Sequence, residues 1–293
     1  MKERELMSTD FLLEKKLSAE APALHRSVSD SVFVLQGMLE KFLPRFPDFT
    51  DHSILHSLDV LDYSNRIIGA EQVEKLSAAE CYVLIMACYL HDTGMGVGQK
   101  DFEEFSRRMD FGDYFENHDR EDTARTIRDF HHEYSGYFIR KYAELLEIPS
   151  EDLVFAIVQA SRGHRKTDLY DAREYPDLQT EYGVIRTPYL AAVIRLADEI
   201  DVGADRNPEL LFDTAKLSQQ QAIEAFGTHE SIRTVELQAE RIVLHAKPIS
   251  ETYIPLIETL NGKIQQTLDY CRDVAERRSE FRITQKISEV KWL

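Results

Sequence analysis

Residues 81–94 read CYVLIMACYLHDTG, an apolar run that stops at a histidine and an aspartate. The run is about half as long as the ~20 apolar residues that a membrane span needs, so it predicts a buried helix. Ser77 and Glu80 have the spacing of a capping box and predict where this helix begins. A helix end in apolar surroundings can hold the imidazole of His91 and the carboxylate of Asp92 rigidly, with one side open to a ligand.

The composition is typical of a compact globular protein. The 293 residues are 43% hydrophobic and 10% aromatic, which is enough for a sizeable core. Lys and Arg number 35 against 52 Asp and Glu, so the formal net charge is −17. A field of that sign repels phosphate backbones and disfavours binding to duplex nucleic acid.

Export, membrane insertion and disulfide bonding are not predicted. The first residues, MKERELMSTDFLLEKK, mix acids with bases and lack the apolar centre of a secretory signal. The three cysteines are odd in number and lack C-x-x-C spacing, which argues against a disulfide framework and a thiolate zinc site. We expect a cytoplasmic protein with no membrane contact.

Helical periodicity dominates the chain up to about residue 210. Helices are predicted over 18–43, 51–68, 78–90, 120–146, 151–163 and 189–200. Residues 94–118 predict a surface insertion with one short helix near 102–109, and 165–183 predict a loop over the site.

The pattern changes after about residue 230. SIRTVELQAERIVLHAKP alternates apolar and polar residues, as a pair of half-buried strands would. A helix over 250–278 and a strand-like end, FRITQKISEVKWL, are predicted next. The expected fold is mainly α, with an N-terminal helical segment (1–44), a helical core (45–210) and a small α+β C-terminal subdomain (211–293).

Histidines are concentrated in the predicted core. Seven of the ten lie between positions 52 and 164: His52, His56, His91, His118, His131, His132 and His164. A buried imidazole needs a hydrogen-bond partner or a metal. A single one is more often a hydrogen-bonded core residue, but five or six across successive helices favour a shared site.

An aspartate also lies in an apolar helix, in PYLAAVIRLADEID. An ionised, unpaired carboxylate there would be costly, so Asp198 needs a partner. An ion pair with Arg195, one turn earlier, is one candidate. A metal ion shared with His91 and Asp92 is the other, and it accounts better for the grouping.

Together these residues resemble the H…HD…D signature of the HD superfamily of metal-dependent phosphohydrolases. LHSLDV, with His56, is similar to the first-histidine helix of that family, CYLHDTG to its L-x-H-D-x-G, and VIRLADEID, with Asp198, to its last-aspartate segment. The resemblance covers about residues 45–210. It implies an HD-domain helical bundle in which metal-activated water cleaves a phosphoester or phosphoanhydride.

Two further histidines resemble ligands of the HD-GYP group. HHEYSGYFI, which begins at His131, is similar to its H-P-E-x-G-A-x-x-L segment, and QASRGHRKTDL places His164 at its next histidine ligand. The ligands implied are His56, His91, Asp92 and Asp198 for one metal, and the bridging Asp92 with His131 and His164 for a second. The two-residue motif of the family at this point reads Gly163-His164 here, which leaves open whether one ion binds or two. No Gly-Tyr-Pro follows, so cyclic di-GMP is not supported as the substrate.

Imidazoles and carboxylates without thiolates suit Mn, Fe, Ni, Co, Zn or Mg. Such ions lower the pKa of bound water and clamp phosphoryl oxygens. Arg162, Arg165 and Lys166 flank His164 in an otherwise acidic chain and are predicted to bind phosphate, although such bases are equally typical of a solvated surface. His91 and Asp92 complete the predicted catalytic set, and His132, about 100° around the helix from His131, is expected beside the ligands rather than among them.

The sequence therefore predicts a metal-dependent phosphohydrolase acting on a phosphorylated small molecule, with a nucleotide-like substrate favoured. The alternative is a non-catalytic HD-fold module that binds a nucleotide for signalling. A non-nucleotide phosphate is a third hypothesis. The oligomeric state, including a homo-oligomer, is left open.

Overall fold

A computed structural model describes residues 11–39, 54–165, 167–203 and 220–293. Its helices are α1 (Leu12–Glu20), α2 (Pro22–Leu39), α3 (Ile54–Ile68), α4 (Ala70–Val73), α5 (Ala78–Leu90), α6 (Gln99–Ser106), α7 (Tyr114–Asn117), α8 (Thr123–Tyr142), α9 (Glu151–Arg162), α10 (Thr187–Ile200), α11 (Gln220–Ser231) and α12 (Ile254–Arg278). Short 3₁₀ turns follow α5 at Thr93–Gly96 and precede α12 at Glu251–Tyr253. The strands are β1 (Asp177–Thr180), β2 (Gly183–Arg186), β3 (Ile232–Leu237), β4 (Arg241–Ala246) and β5 (Ile287–Trp292). The predicted mainly-α fold with a small C-terminal strand appendage is confirmed.

Helix α5 is the centre of the core, as its apolar sequence predicts. Every one of its residues is buried, and α1, α2, α3, α9 and α10 pack around it. The Ser77 hydroxyl accepts from the Glu80 N–H at 3.0 Å, and the Glu80 carboxylate accepts from the Ser77 N–H at 2.9 Å. This confirms the capping box. The carboxylate of Glu80 is itself buried and pairs with Arg186 at 2.7 Å.

Two glycines let neighbouring helices approach the site closely. A β carbon on Gly94 would lie 2.0 Å from the backbone oxygen of His131, so the turn after α5 is pressed against α8. A β carbon on Gly163 would lie 2.4 Å from Cβ of Ala191, so the end of α9 lies against α10. Only a residue without a side chain permits these contacts.

Helix α8 is bent at the site. Phe130 has φ −115° and ψ 15°, which is not helical, and His131 follows it directly. The predicted helix over 120–146 is therefore two helical segments joined by a kink.

Three local predictions differ from the structure. The expected helix over 18–43 is divided in the described residues, because α1 ends before Ala21 and α2 begins at Pro22, a favoured first position of a helix. The insertion at 94–118 contains two helices, α6 and α7, instead of one. The predicted loop at 165–183 contains β1, which pairs with β2 in a short antiparallel hairpin. The two strands are too short for an alternating pattern to show.

The C-terminal elements follow the predicted order. Strands β3 and β4 are antiparallel, and β5 adds to β4 in parallel, giving the order β3-β4-β5. Helix α12 packs both on β5 and on α10, so the appendage rests on the helix that carries Asp198. Among the described residues no helix is long and apolar enough to cross a membrane.

Candidate metal centre

Four histidines and two aspartates meet at one end of the bundle. They form two groups in which the candidate ligand atoms all lie within 4.8 Å of one another. Site 1 is His56, His91 and Asp198, and site 2 is Asp92, His131 and His164. All six are the residues that the sequence predicts as ligands, and they come from α3, the end of α5, α8, the end of α9 and α10.

Site 1 is built by α3, α5 and α10. Nε2 of His56 lies 3.2 Å from Nε2 of His91 and 3.3 Å from Oδ1 of Asp198. Nε2 of His91 is 3.8 Å from the same Asp198 oxygen. Both histidines are buried, whereas the side chain of Asp198 is 21% exposed. Asp198 therefore marks the side of the site that faces solvent.

Site 2 is built by α8 and the residue after α9. Nε2 of His131 and Nε2 of His164 lie 2.8 Å apart. Oδ1 of Asp92 is 3.3 Å from His131 and 3.7 Å from His164. All three residues are buried.

Asp92 lies between the two sites and directs one oxygen to each. While Oδ1 faces site 2, Oδ2 lies 3.5 Å from Nε2 of both His56 and His91. A carboxylate in this position can bridge two cations, as the resemblance implies.

Backbone carbonyls determine which ring nitrogen of three histidines carries the proton. Nδ1 of His91 lies 2.9 Å from the carbonyl of Cys88, and Nδ1 of His131 and His164 lie 2.5 Å from the carbonyls three residues earlier. A carbonyl oxygen only accepts, so Nδ1 is the donor and each neutral imidazole offers the lone pair of Nε2 to the centre.

The chemistry of these facing nitrogen donors fits a metal ion. Lone pairs that face each other at 2.8 and 3.2 Å repel unless a cation or proton lies between them. Burial holds the pKa of His164 well below its ordinary value, and the nearby His91 and His131 lower it further. His164 is thus neutral at pH 7, which is the form that binds a metal.

The ion pair considered for Asp198 is not formed. Arg195 donates instead to the carbonyl of Gly163 at 2.6 Å and to that of Thr167 at 2.8 Å. Burial by itself would raise the pKa of Asp198, but the surrounding histidines, His56 first among them, hold it well below its ordinary value. Asp198 is therefore an ionised carboxylate oriented toward the histidines.

The sequence profile of the HD-CE family matches residues 46–280. The chain belongs to the HD-CE family. No curated protein matches the chain. The match and the His/Asp cluster together support an HD-type domain with a metal site. The HD-CE match also extends past residue 210, the predicted boundary between core and appendage, and that boundary stays a prediction.

The predicted phosphate-binding residues of the HD-CE domain have different surroundings. Arg162 is bound to Glu133, with Nη2 to Oε1 at 2.6 Å and Nε to both carboxylate oxygens, and also contacts Gln159. Arg165 is exposed beside His164. Lys166 lies outside the described residues, as does His52.

His132 lies beside the ligands, as predicted. Its ring centroid is 6.0 Å from that of His131 and 6.5 Å from that of His164. Burial lowers the pKa of His132 to about 3, and nearby arginines, Arg165 among them, add to this. His132 is therefore uncharged at neutral pH.

One residue of the metal centre is not predicted by the sequence motifs. Asp201, buried at the end of α10, lies with Oδ2 2.6 Å from Nδ1 of His56. A signal was available in DEID, where a second aspartate follows Asp198 by one helical turn. The residue was overlooked because the family signature ends at the first of the two.

Proposed function

We propose that this HD-CE protein is a metal-dependent phosphohydrolase that cleaves a phosphoester or phosphoanhydride of a nucleotide-like small molecule. The observation that carries the proposal is the position of Asp92, whose two oxygens face two separate groups of histidines. A structural ion needs one closed set of ligands, whereas two adjoining sets with one exposed side are typical of hydrolytic centres.

The residues of the two sites would act as the metal ligands. His56, His91 and Asp198 would hold one divalent ion, and His131 and His164 a second, with Asp92 shared. A bound ion of this kind lowers the pKa of water and polarises a phosphoryl oxygen. The ordered Nδ1 contacts keep every Nε2 directed inward, so little reorganisation is needed when an ion or substrate binds.

Positive charge beside site 2 supports an anionic substrate. Arg165 is exposed beside His164, a histidine of site 2. Arg162 is paired with Glu133 at 2.6 Å, so its charge is largely balanced there. We assign direct phosphate contact to Arg165 and, outside the described residues, to Lys166.

The test is hydrolysis by the purified full chain. Phosphate release from a panel of nucleotides and simple phosphoesters is measured with Mn²⁺, Co²⁺, Ni²⁺, Zn²⁺ or Mg²⁺, and metal content by elemental analysis. Asp92→Asn should abolish both release and metal uptake. Asp152→Asn, at the exposed start of α9 far from His164, is the matched control and should change neither.

Two results would overturn the proposal. One is a protein that takes up no divalent metal and whose properties do not change in Asp92→Asn. The other is tight nucleotide binding without product under every metal tested, which would establish the non-catalytic module instead.

A further inference from the structure

His56 is held at both ring nitrogens by one turn of α10. Asp198 lies 3.3 Å from its Nε2, and Asp201, three residues later, lies 2.6 Å from its Nδ1. His56 and Asp201 are both buried, each with 2% of its surface exposed. Because Asp198 lies in the last turn of α10 and Asp201 directly follows that helix, the imidazole is fixed between them.

The other three histidines are supported differently. Each directs Nδ1 to the carbonyl oxygen three residues earlier in its own chain segment, at Cys88, Arg128 or Ser161. A carbonyl is a neutral acceptor, while the Asp201 carboxylate is an anion. A charge-assisted hydrogen bond is shorter and stronger than one between neutral groups, so His56 has the strongest support of the four.

This difference affects the ligand strength of the two sites. A carboxylate that accepts the Nδ1 proton of a histidine increases the basicity of Nε2 and fixes the ring orientation. Site 1 also contains Asp198 as a ligand of its own, and Asp201 adds a second negative charge behind it. Site 2 has Asp92 as its carboxylate, and Arg165 is exposed beside His164.

We propose that the two sites bind metal with unequal affinity, that site 1 fills first, and that Asp201 is the positioning residue that sets the difference through His56. This inference rests on the proposed metal centre and goes beyond it, because it assigns an order of binding and a residue outside the ligand set.

The experiment is a titration of chelator-treated, full-length protein with Mn²⁺, in which free Mn²⁺ is followed by its EPR signal. The wild type should show a tight step and a weaker step. Asp201→Asn should weaken the tight step 10- to 100-fold, the range for loss of such a partner, and leave the weaker one within about twofold. His164→Ala should remove the weaker step alone, which identifies it as site 2.

Controls separate this role from a general effect on α10. Glu199→Gln removes a carboxylate from the same helix, one that pairs with Lys263 at 2.8 Å, and should change neither step. Asp201→Glu keeps the acceptor and its charge and should recover part of the affinity. In a His56→Ala background, Asp201→Asn should add no further loss, since a residue that acts only through His56 has no effect once that ring is gone.

Several outcomes would overturn the inference. They are an Asp201→Asn protein that binds Mn²⁺ as the wild type does, equal weakening of both steps, or the same additional loss in the His56→Ala background. These are distinct from failure of the proposed function, in which the wild type binds no Mn²⁺ at all. Circular dichroism of each metal-free variant verifies that it is folded before the titration.

Discussion

Gly94 and His131 lie so close together that a β carbon on Gly94 would be 2.0 Å from the backbone oxygen of His131, a separation that no folded protein tolerates. The Gly94 N–H donates to the Ser135 hydroxyl at 2.8 Å, and that hydroxyl contacts the carbonyl of His91. The turn after α5 and the kinked helix α8 are therefore fitted directly together. This contact brings the His91 and Asp92 pair to the same place as His131.

A side chain at position 94 should separate the two sites. We expect Gly94→Ala to lower the free energy of unfolding by about 1–3 kcal/mol or more, because the clash is with backbone atoms, and to weaken Mn²⁺ binding. Chemical denaturation and metal titration measure the two effects. Gly98→Ala is the control, since a β carbon there meets nothing within 4 Å; equal losses in both variants would contradict the prediction.

The ion pair between Glu80, in the first turn of α5, and Arg186 should be important for stability. Glu80 is fully buried and pairs with Arg186, whose side chain is 15% exposed. Removing one partner leaves a buried charge, so Arg186→Met should destabilise the fold by about 3–5 kcal/mol. Arg66→Met removes one side of an exposed pair with Asp62 and should cost at most about 1 kcal/mol. Comparable losses in urea denaturation would show that the Glu80 pair is not the cause.

Glu14 should make stability depend on pH. Its carboxylate is buried in α1, and among the described residues neither oxygen has a hydrogen-bond partner. Burial raises its pKa from 4.5 to about 7. The folded state thus holds this proton more tightly than the unfolded state, so the stabilisation is complete below pH 4.5 and is lost as pH rises through 7.

That loss amounts to about 3 kcal/mol by pH 8, on the conversion of 1.36 kcal/mol for each pKa unit. Glu14→Gln cannot ionise and should abolish this part of the slope, with stability near that of the wild type at low pH and greater at pH 8. Denaturation at a series of pH values measures it. Glu276→Gln, on the exposed side of α12, should keep the wild-type slope; an unchanged slope in Glu14→Gln would refute the assignment.

Divalent metal should stabilise the folded protein. At a free concentration of one hundred times Kd, a ligand that binds only the folded state adds about 2.7 kcal/mol, which corresponds to a rise in Tm of about 4–5 °C for a chain of this length. Differential scanning fluorimetry with Mn²⁺ against chelator measures the shift. Asp92→Asn, which removes the carboxylate shared by both sites, should show little or none, while Asp152→Asn should shift as the wild type does.

Much of this molecule was accessible from local sequence. The apolar run before His91 and the capping box at Ser77 predict α5, because burial and capping depend on residues close together in the chain. The alternating pattern after residue 230 predicts β3 and β4 for the same reason. Buried imidazoles and carboxylates in apolar segments need partners, and the resemblance to the HD superfamily and its HD-GYP group implies which six residues are the candidate ligands.

Other features depend on contacts between distant residues and have no local signal. The β1–β2 hairpin is too short for an alternating pattern, and the kink at Phe130 accompanies the close fit of α8 against Gly94. Arg162 could be expected near phosphate, yet Glu133 engages it across the α8–α9 contact.

Amino-acid sequence alone determined the helical class and the buried position of α5, because those follow from side-chain chemistry and spacing within one element, and the resemblance of its motifs to the HD superfamily indicated the candidate ligands. Only the tertiary structure decided that Asp92 faces both sites, that Arg195 binds carbonyls and that Asp201 supports His56. Each of these relations joins side chains far apart in the chain, and packing of helices selects one partner among several that the chemistry would allow.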